Sequence, residues 1–321
     1  MWTNFIITLE IVLPFVIFLI LGAFLRRINV LKDDFTAEIN RFLSAFLLPC
    51  NIFNSLYQRD ISDAFRRPTA IYIMAGTFLA AMFMMFLASL LEKDPGRQGA
   101  MAHGSFRGNV IVFALPLCQS IFGEDVPEIT VALAVSVLVN NLVSVPMLEY
   151  YRGKKEGAST GQKTTLGGIL LHMAKTPLLI GLLLGILWSV LKIPMPQAGR
   201  SVLSSLAGTV IPLAFMTLGA RLRISHFRSN SRNVLLACLI KLVILPAVFL
   251  LPALLFGWDE KSLVAVVMSF AVPTAIIVYP MTEEYGCDGE MAGEIVTVST
   301  ALSVITLFLW IFSMKQTGLI P

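Results

Sequence analysis

Residues 99–122 read GAMAHGSFRGNVIVFALPLCQSIF, and residues 262–283 read SLVAVVMSFAVPTAIIVYPMTE. Both stretches are long and apolar enough to enter a bilayer as helices. Yet each carries helix breakers: Gly104, Gly108 and Pro116 in the first, Pro273 and Pro280 in the second. Proline removes a backbone donor and clashes with the preceding turn. Glycine weakens a helix by about 1 kcal/mol relative to alanine. Lipid offers no partner to the backbone groups so freed, so a broken helix must be buried in protein or line a wet cavity. The half-helix that restarts after such a break presents free N–H groups and a positive dipole end, which favour an anion. A packing kink is the simpler account of one such stretch; two of them in corresponding places favour a site.

The rest of the chain fits this setting. Of 321 residues, 56% are apolar and 14% charged, with a formal net charge of +4. Ordinary soluble domains run at roughly 45–50% apolar and 25% charged. The mean hydropathy is +0.80. This balance excludes a soluble globular domain, and it excludes a disordered chain, which would be polar and highly charged. Cys50, Cys118, Cys238 and Cys287 stand singly, and His103, His172 and His226 lie far apart. No disulfide framework, metal site or cofactor is expected from that pattern.

A membrane-spanning helix needs about 20 mostly apolar residues. Ten stretches meet this: 5–25, 35–57, 69–91, 99–122 and 128–150, then 169–191, 201–220, 233–256, 262–283 and 294–314. The expected fold class is therefore all-α membrane protein, with residues 1–151 as a first five-helix repeat and 169–321 as a second. Residues 152–168 are the expected cytoplasmic linker. The N-terminus has no basic residue before its apolar run, so it reads as a true first span rather than a cleaved signal. An odd number of spans per half makes the second half enter from the opposite face, an inverted repeat. Local features recur in order: Leu48-Pro49 against Ile211-Pro212, the turn Gly123-Glu124-Asp125 against Gly286-Cys287-Asp288, and Glu128-Ile129 against Glu294-Ile295. Lys and Arg outside the spans are twice as frequent on the linker side as on the other. That bias predicts both termini outside and the linker in the cytoplasm of a cell (inner) membrane protein, although the basic loop 58–68 runs against it.

Several segments carry a family resemblance. They are Glu38-Ile39-Asn40-Arg41-Phe42 leading to Leu47-Leu48-Pro49-Cys50-Asn51-Ile52-Phe53, then Asn109 to Leu117, Pro212 to Gly219, Pro273 to Val278, and Glu284-Tyr285-Gly286-Cys287-Asp288. In these segments the chain resembles the auxin efflux carrier family, which includes the plant PIN-FORMED proteins and short bacterial permeases. The resemblance implies a ten-helix inverted-repeat carrier of organic anions with helices 4 and 9 broken and crossing at mid-membrane. It also implies a scaffold and a transport domain that move as an elevator, and it makes Asn109 the counterpart of an asparagine that contacts the substrate carboxylate. Three departures stand out: a short polar linker, Arg107, and Thr176-Pro177 where the family usually has Asn-Pro. Auxin itself is therefore not expected; bacterial relatives are linked to dicarboxylates such as malate or malonate, which would suit the extra arginine.

The candidate substrate-binding residues are Asn109, Arg107, Asn51, Asn54 and Thr274, with Gly108, Pro116, Pro273 and Pro280 shaping the crossover backbone. Arg107 lies about 12 Å along its span, at 1.5 Å per residue. A buried guanidinium is costly unless paired, and its planar fork suits a carboxylate. The competing reading is a structural pair or snorkelling to the surface. Asn109 can donate two hydrogen bonds beside Gly108, or it can bond a neighbouring helix. Asn51 and Asn54 share a helix face three residues apart and serve packing equally well. Thr274 can offer its hydroxyl or leave its carbonyl free. Lys241 is read as an interhelical partner, Arg41 as a snorkelling side chain, and Asn140 and Asn141 as interhelical bonds.

The partners expected are a small organic anion and the lipid bilayer, with a proton or sodium as candidate co-ion, a homodimer as candidate assembly, and no nucleic acid. The span interiors hold almost no carboxylates, so a Glu or Asp proton relay is not indicated. An anion leaving an inside-negative cell gains about 2.3 kcal/mol per charge per 100 mV, so export needs no co-ion, whereas import does. The runner-up is a sodium-coupled bile-acid-type carrier of the same architecture; a non-transporting ligand sensor is the alternative outside transport. A channel would need a filter or a ring of charges. No G-x-S-x-G, H-E-x-x-H or paired Asp points to an enzyme.

Overall fold

The computed structural model describes residues 2–57, 68–122, 126–155, 177–221 and 231–320. Among these the chain is helical throughout: α1 (Trp2–Arg27), α2 (Asp33–Phe42), α3 (Leu48–Leu56), α4 (Pro68–Leu91), α5 (Pro95–Phe106), α6 (Leu115–Phe122), α7 (Pro127–Lys155), α8 (Pro177–Leu191), α9 (Gln197–Arg221), α10 (Ser231–Leu239), α11 (Leu245–Leu255), α12 (Glu260–Ala271), α13 (Val278–Glu284) and α14 (Gly289–Gln316). Among the described residues, five helical stretches are long and apolar enough to cross a membrane: Trp2–Arg27, Pro68–Leu91, Gln197–Ala220, Arg232–Leu255 (α10, a π turn and α11) and Gly289–Gln316. The described parts of the other stretches predicted from sequence are helical too, but shorter, interrupted or more polar. Of the predicted linker, Arg152–Lys155 continue α7; its residues 156–168, the turn 123–125, the loop 58–67 and the histidines at 172 and 226 lie outside the described residues.

Three π turns, at Leu43–Leu47, Val110–Ala114 and Ile240–Ile244, join α2 to α3, lead into α6, and join α10 to α11. Each is followed by Leu-Pro: Leu48-Pro49, Leu115-Pro116 and Leu245-Pro246. The proline ring cannot bond the carbonyl four residues back and pushes against it, so the ladder widens there. One orphan is visibly reclaimed: the Trp310 indole Nε1–H donates to the Leu242 carbonyl at 2.9 Å.

The helices pack as two groups. In one, α1 lies along α9, and α3 packs on α8 and α9. In the other, α4 packs on α5 and α7, α11 on α12, and α14 on α5, α10 and α13. Glycines set the first group. A Cβ at Gly22 would fall 1.9 Å from the Met216 carbonyl oxygen, and one at Gly219 would fall 2.0 Å from that of Leu19. A Cβ at Gly181 would lie 2.5 Å from the Pro49 carbonyl oxygen. In lipid, where helices gain nothing from hiding hydrocarbon from water, this close backbone approach supplies the packing energy. The two groups meet along α1–α14, α3–α7 and α1–α6, with Phe113 packed on Phe215 at 4.6 Å between ring centroids.

In the second group, α5 and α12 stand apart from all the others. Every described residue of α5 from Gln98 to Phe106 is buried, and so is every residue of α12 from Ser262 to Ala271. Both start at an aspartate cap: Asp94 Oδ1 accepts from the Arg97 N–H at 2.9 Å, and Asp259 Oδ1 from the Ser262 N–H at 2.8 Å. Such caps satisfy N–H groups that the helix itself leaves unpaired.

Candidate functional site

α5 ends at Phe106 and α12 at Ala271, each inside the protein. The chain then leaves the helical path through Arg107, Gly108 and Asn109, and through Val272, Pro273 and Thr274, with Arg107 and Val272 extended, before helix resumes at Val110 and Val278. The two non-helical segments pair. Gly108 and Thr274 form an antiparallel bridge; the Asn109 N–H donates to the Pro273 carbonyl at 2.8 Å, and the Ala275 N–H to the Arg107 carbonyl at 3.0 Å. Backbone groups that each break would orphan are thus satisfied by the other break. Of the residues predicted to shape this backbone, Gly108 and Pro273 sit in the breaks. Pro116 and Pro280 do not: both lie downstream, within α6 and α13.

Side chains alternate along an extended segment. Gly108 faces Lys241, since a Cβ there would fall 2.9 Å from the Lys241 Nζ. Arg107 and Asn109 therefore share the opposite side. Asn109 is 8% exposed, and its amide makes no hydrogen bond with any described residue. It stands at the N-cap position of the helical segment that continues through Phe122, without a side-chain cap bond. An unpartnered, buried amide at a helix start offers two donors to a ligand in a place where the helix dipole is positive.

Arg107 is buried, and its partners are neutral. Nη2 donates to Asn141 Oδ1 at 2.6 Å, and Nη1 to Ser144 Oγ at 2.9 Å and to Met281 Sδ at 3.4 Å. No described carboxylate forms an ion pair with it. Ser144 in turn donates to the Asn140 carbonyl at 2.6 Å and lies 3.0 Å from His103 Nε2. His103 Nδ1 lies 3.0 Å from the Thr282 hydroxyl. With the Ser144 proton on the Asn140 carbonyl, the imidazole donates through Nε2 and accepts from Thr282 through Nδ1. Ser144 and Thr282 were not legible as site residues; the available signal was His103 one helical turn before Arg107, on the same face.

Thr274 is placed differently. Its hydroxyl donates to the Gly104 carbonyl at 2.7 Å, and its N–H to Ser299 Oγ at 3.1 Å. It is fully buried and holds the junction together. Asn51 and Asn54 lie on α3, in the other packing group, and are not brought onto the junction. Asn51 is buried and Asn54 half-buried. Arg41 is exposed, and Asn141, on α7, accepts from Arg107 in the break rather than bonding another helix.

Apolar membrane-length helices around two buried, mutually paired helix breaks define a multi-pass membrane transporter. Residues 7–311 match the family described as membrane transport protein, and the chain belongs to it, the auxin efflux carrier family. The family consists of transporters, not enzymes. The chain is 24% identical over 306 residues to a protein of Methanothermobacter thermautotrophicus named "Uncharacterized transporter", covering 94% of this chain and 96% of that one. It is 23% identical to a second "Uncharacterized transporter", from Methanocaldococcus jannaschii, covering 95% and 98%. It is 20% identical to a Rhizobium meliloti protein named "Putative malonate transporter", covering 92% of each chain.

Proposed function

We propose that this protein is a secondary carrier of small organic anions, mono- or dicarboxylates, working in a cell membrane with both termini outside. Its ten spans form a 5+5 inverted repeat, and the junction of spans 4 and 9 is the crossover at which the anion binds. The observation that carries this reading is Asn109: a buried amide with no hydrogen bond to any described residue, at the N-cap position of a half-helix. Arg107 on the same side supplies a positive charge with only neutral neighbours. A carboxylate docked there takes charge-assisted hydrogen bonds, and a dicarboxylate can engage both residues. The name of the Rhizobium meliloti relative points the same way.

The mechanism we propose is an elevator. The group containing α1, α3, α8 and α9 is the static scaffold, and the group holding the junction slides against it. The glycine-mediated contacts within the scaffold support this division, as does an apolar seam of Phe113, Phe215, Phe15, Leu117 and Leu307 between the groups. Sliding along such a seam breaks few directional bonds. Uptake of radiolabelled malonate by proteoliposomes tests the reading. Saturable uptake in wild type that is lost in Asn109→Ala supports it; equal uptake by empty liposomes and proteoliposomes refutes it.

A further inference from the structure

The junction also joins two helix C-termini. The last four carbonyls of any helix lack intrahelical partners, and the end carries about half a negative charge. α5 and α12, each of 12 residues, end side by side in the buried interior. Their carbonyls point at a single side chain: Lys241 Nζ donates to the Phe270 carbonyl at 3.0 Å and to the Phe106 carbonyl at 3.4 Å. Lys241 is 0% exposed, and no described carboxylate pairs with it. Two half-charges of helix dipole thus face one ammonium.

The surrounding chain is shaped around this amine. Lys241 arrives from a third helical segment, in the π turn Ile240–Ile244 that Pro246 forces open. Gly108 leaves room for it, since any Cβ there would press on Nζ and on Val272 Cγ2, both at 2.9 Å. Converging carbonyls at broken-helix ends are a setting in which membrane carriers hold a small monovalent cation. Here the position is filled by a group attached to the chain.

We propose that Lys241 is the resident monovalent cation of the junction: its ammonium takes the place of a diffusible alkali ion, so the two broken helices meet without any requirement for sodium. Removing the amine leaves the Phe106 and Phe270 carbonyls facing an empty, negatively polarised pocket. That pocket would then bind a small cation from solution, and binding to the folded state alone raises apparent stability.

The test is thermal unfolding of the detergent-solubilised full chain in choline, sodium, lithium and methylammonium chloride at equal ionic strength. Wild type is expected to unfold at one temperature in all four salts. Lys241→Ala is expected to unfold at least about 5 °C lower in choline and to recover saturably in a small cation. Lys241→Met, whose side chain occupies the pocket, is expected to unfold at the lower temperature in all four. A wild type stabilised by sodium over choline would overturn the proposal. So would a Lys241→Ala protein as stable as wild type in choline, or one that no cation restores, including one that folds in none of the salts. The thermal measurement reads the cation alone, so a failure of malonate uptake would count against the carrier reading and not against this one.

Discussion

Gly108 and Thr274, from opposite halves of the chain, stand directly across from one another in a two-bond antiparallel bridge. This pairing lets two helices stop inside a membrane protein without leaving the backbone unsatisfied. Thr274 adds a third tie through its hydroxyl to the Gly104 carbonyl. Thr274→Ser keeps that bond and is expected to unfold within about 1 °C of wild type. Thr274→Val keeps the shape but orphans the carbonyl, with a loss of about 1 kcal/mol. Thermal melts of the two variants check this. A change in anion affinity at unchanged stability would instead make the hydroxyl a ligand group.

Asn109→Ala removes a side chain that bonds none of the described residues. Its melting temperature should stay close to that of wild type while transport is abolished. The stabilisation of wild type by a bound carboxylate should vanish too, which a thermal-shift screen over a carboxylate panel reads without assuming direction or coupling. Full activity in the variant would remove Asn109 from the site.

Arg107→Gln deletes a charge but keeps a donor near Asn141 and Ser144. A charge-assisted hydrogen bond is worth about 1.5–3 kcal/mol, or about 10–100-fold in affinity. Dicarboxylates should lose about that much, and monocarboxylates distinctly less. Competition against labelled malonate gives the ratio; equal losses on both would mean that the guanidinium reads no second carboxylate.

Two glycines of α9 should respond oppositely to alanine. At Gly219 the new Cβ meets the Leu19 backbone oxygen at 2.0 Å, so α1 and α9 must separate; a loss of about 1–3 kcal/mol is expected. At Gly208 nothing lies within 4 Å, and alanine should be neutral or stabilising by up to about 1 kcal/mol. Melting temperatures of the two variants, measured side by side, check the packing of the scaffold group.

Hydropathy and the helix breakers made the all-helical membrane class legible from the residues alone, because both depend on neighbours a few positions away. The place of the breaks was legible for the same reason, through Gly108 and Pro273. Pro116 and Pro280 lie past the breaks, within α6 and α13, because a proline near a helix start is absorbed by the helix or by a π turn before it. What the chain order could not show was which groups would meet. The Thr274 hydroxyl lands on Gly104, the Arg107 guanidinium on Ser144 and Asn141, and the Lys241 ammonium on two helix ends. Asn109 is left with no side-chain partner among the described residues. Each of those outcomes depends on segments distant in the chain that packing brings within 3 Å or so. Composition determined that this chain lives in lipid, and only the tertiary structure decided which of its polar groups are already satisfied and which still await a partner.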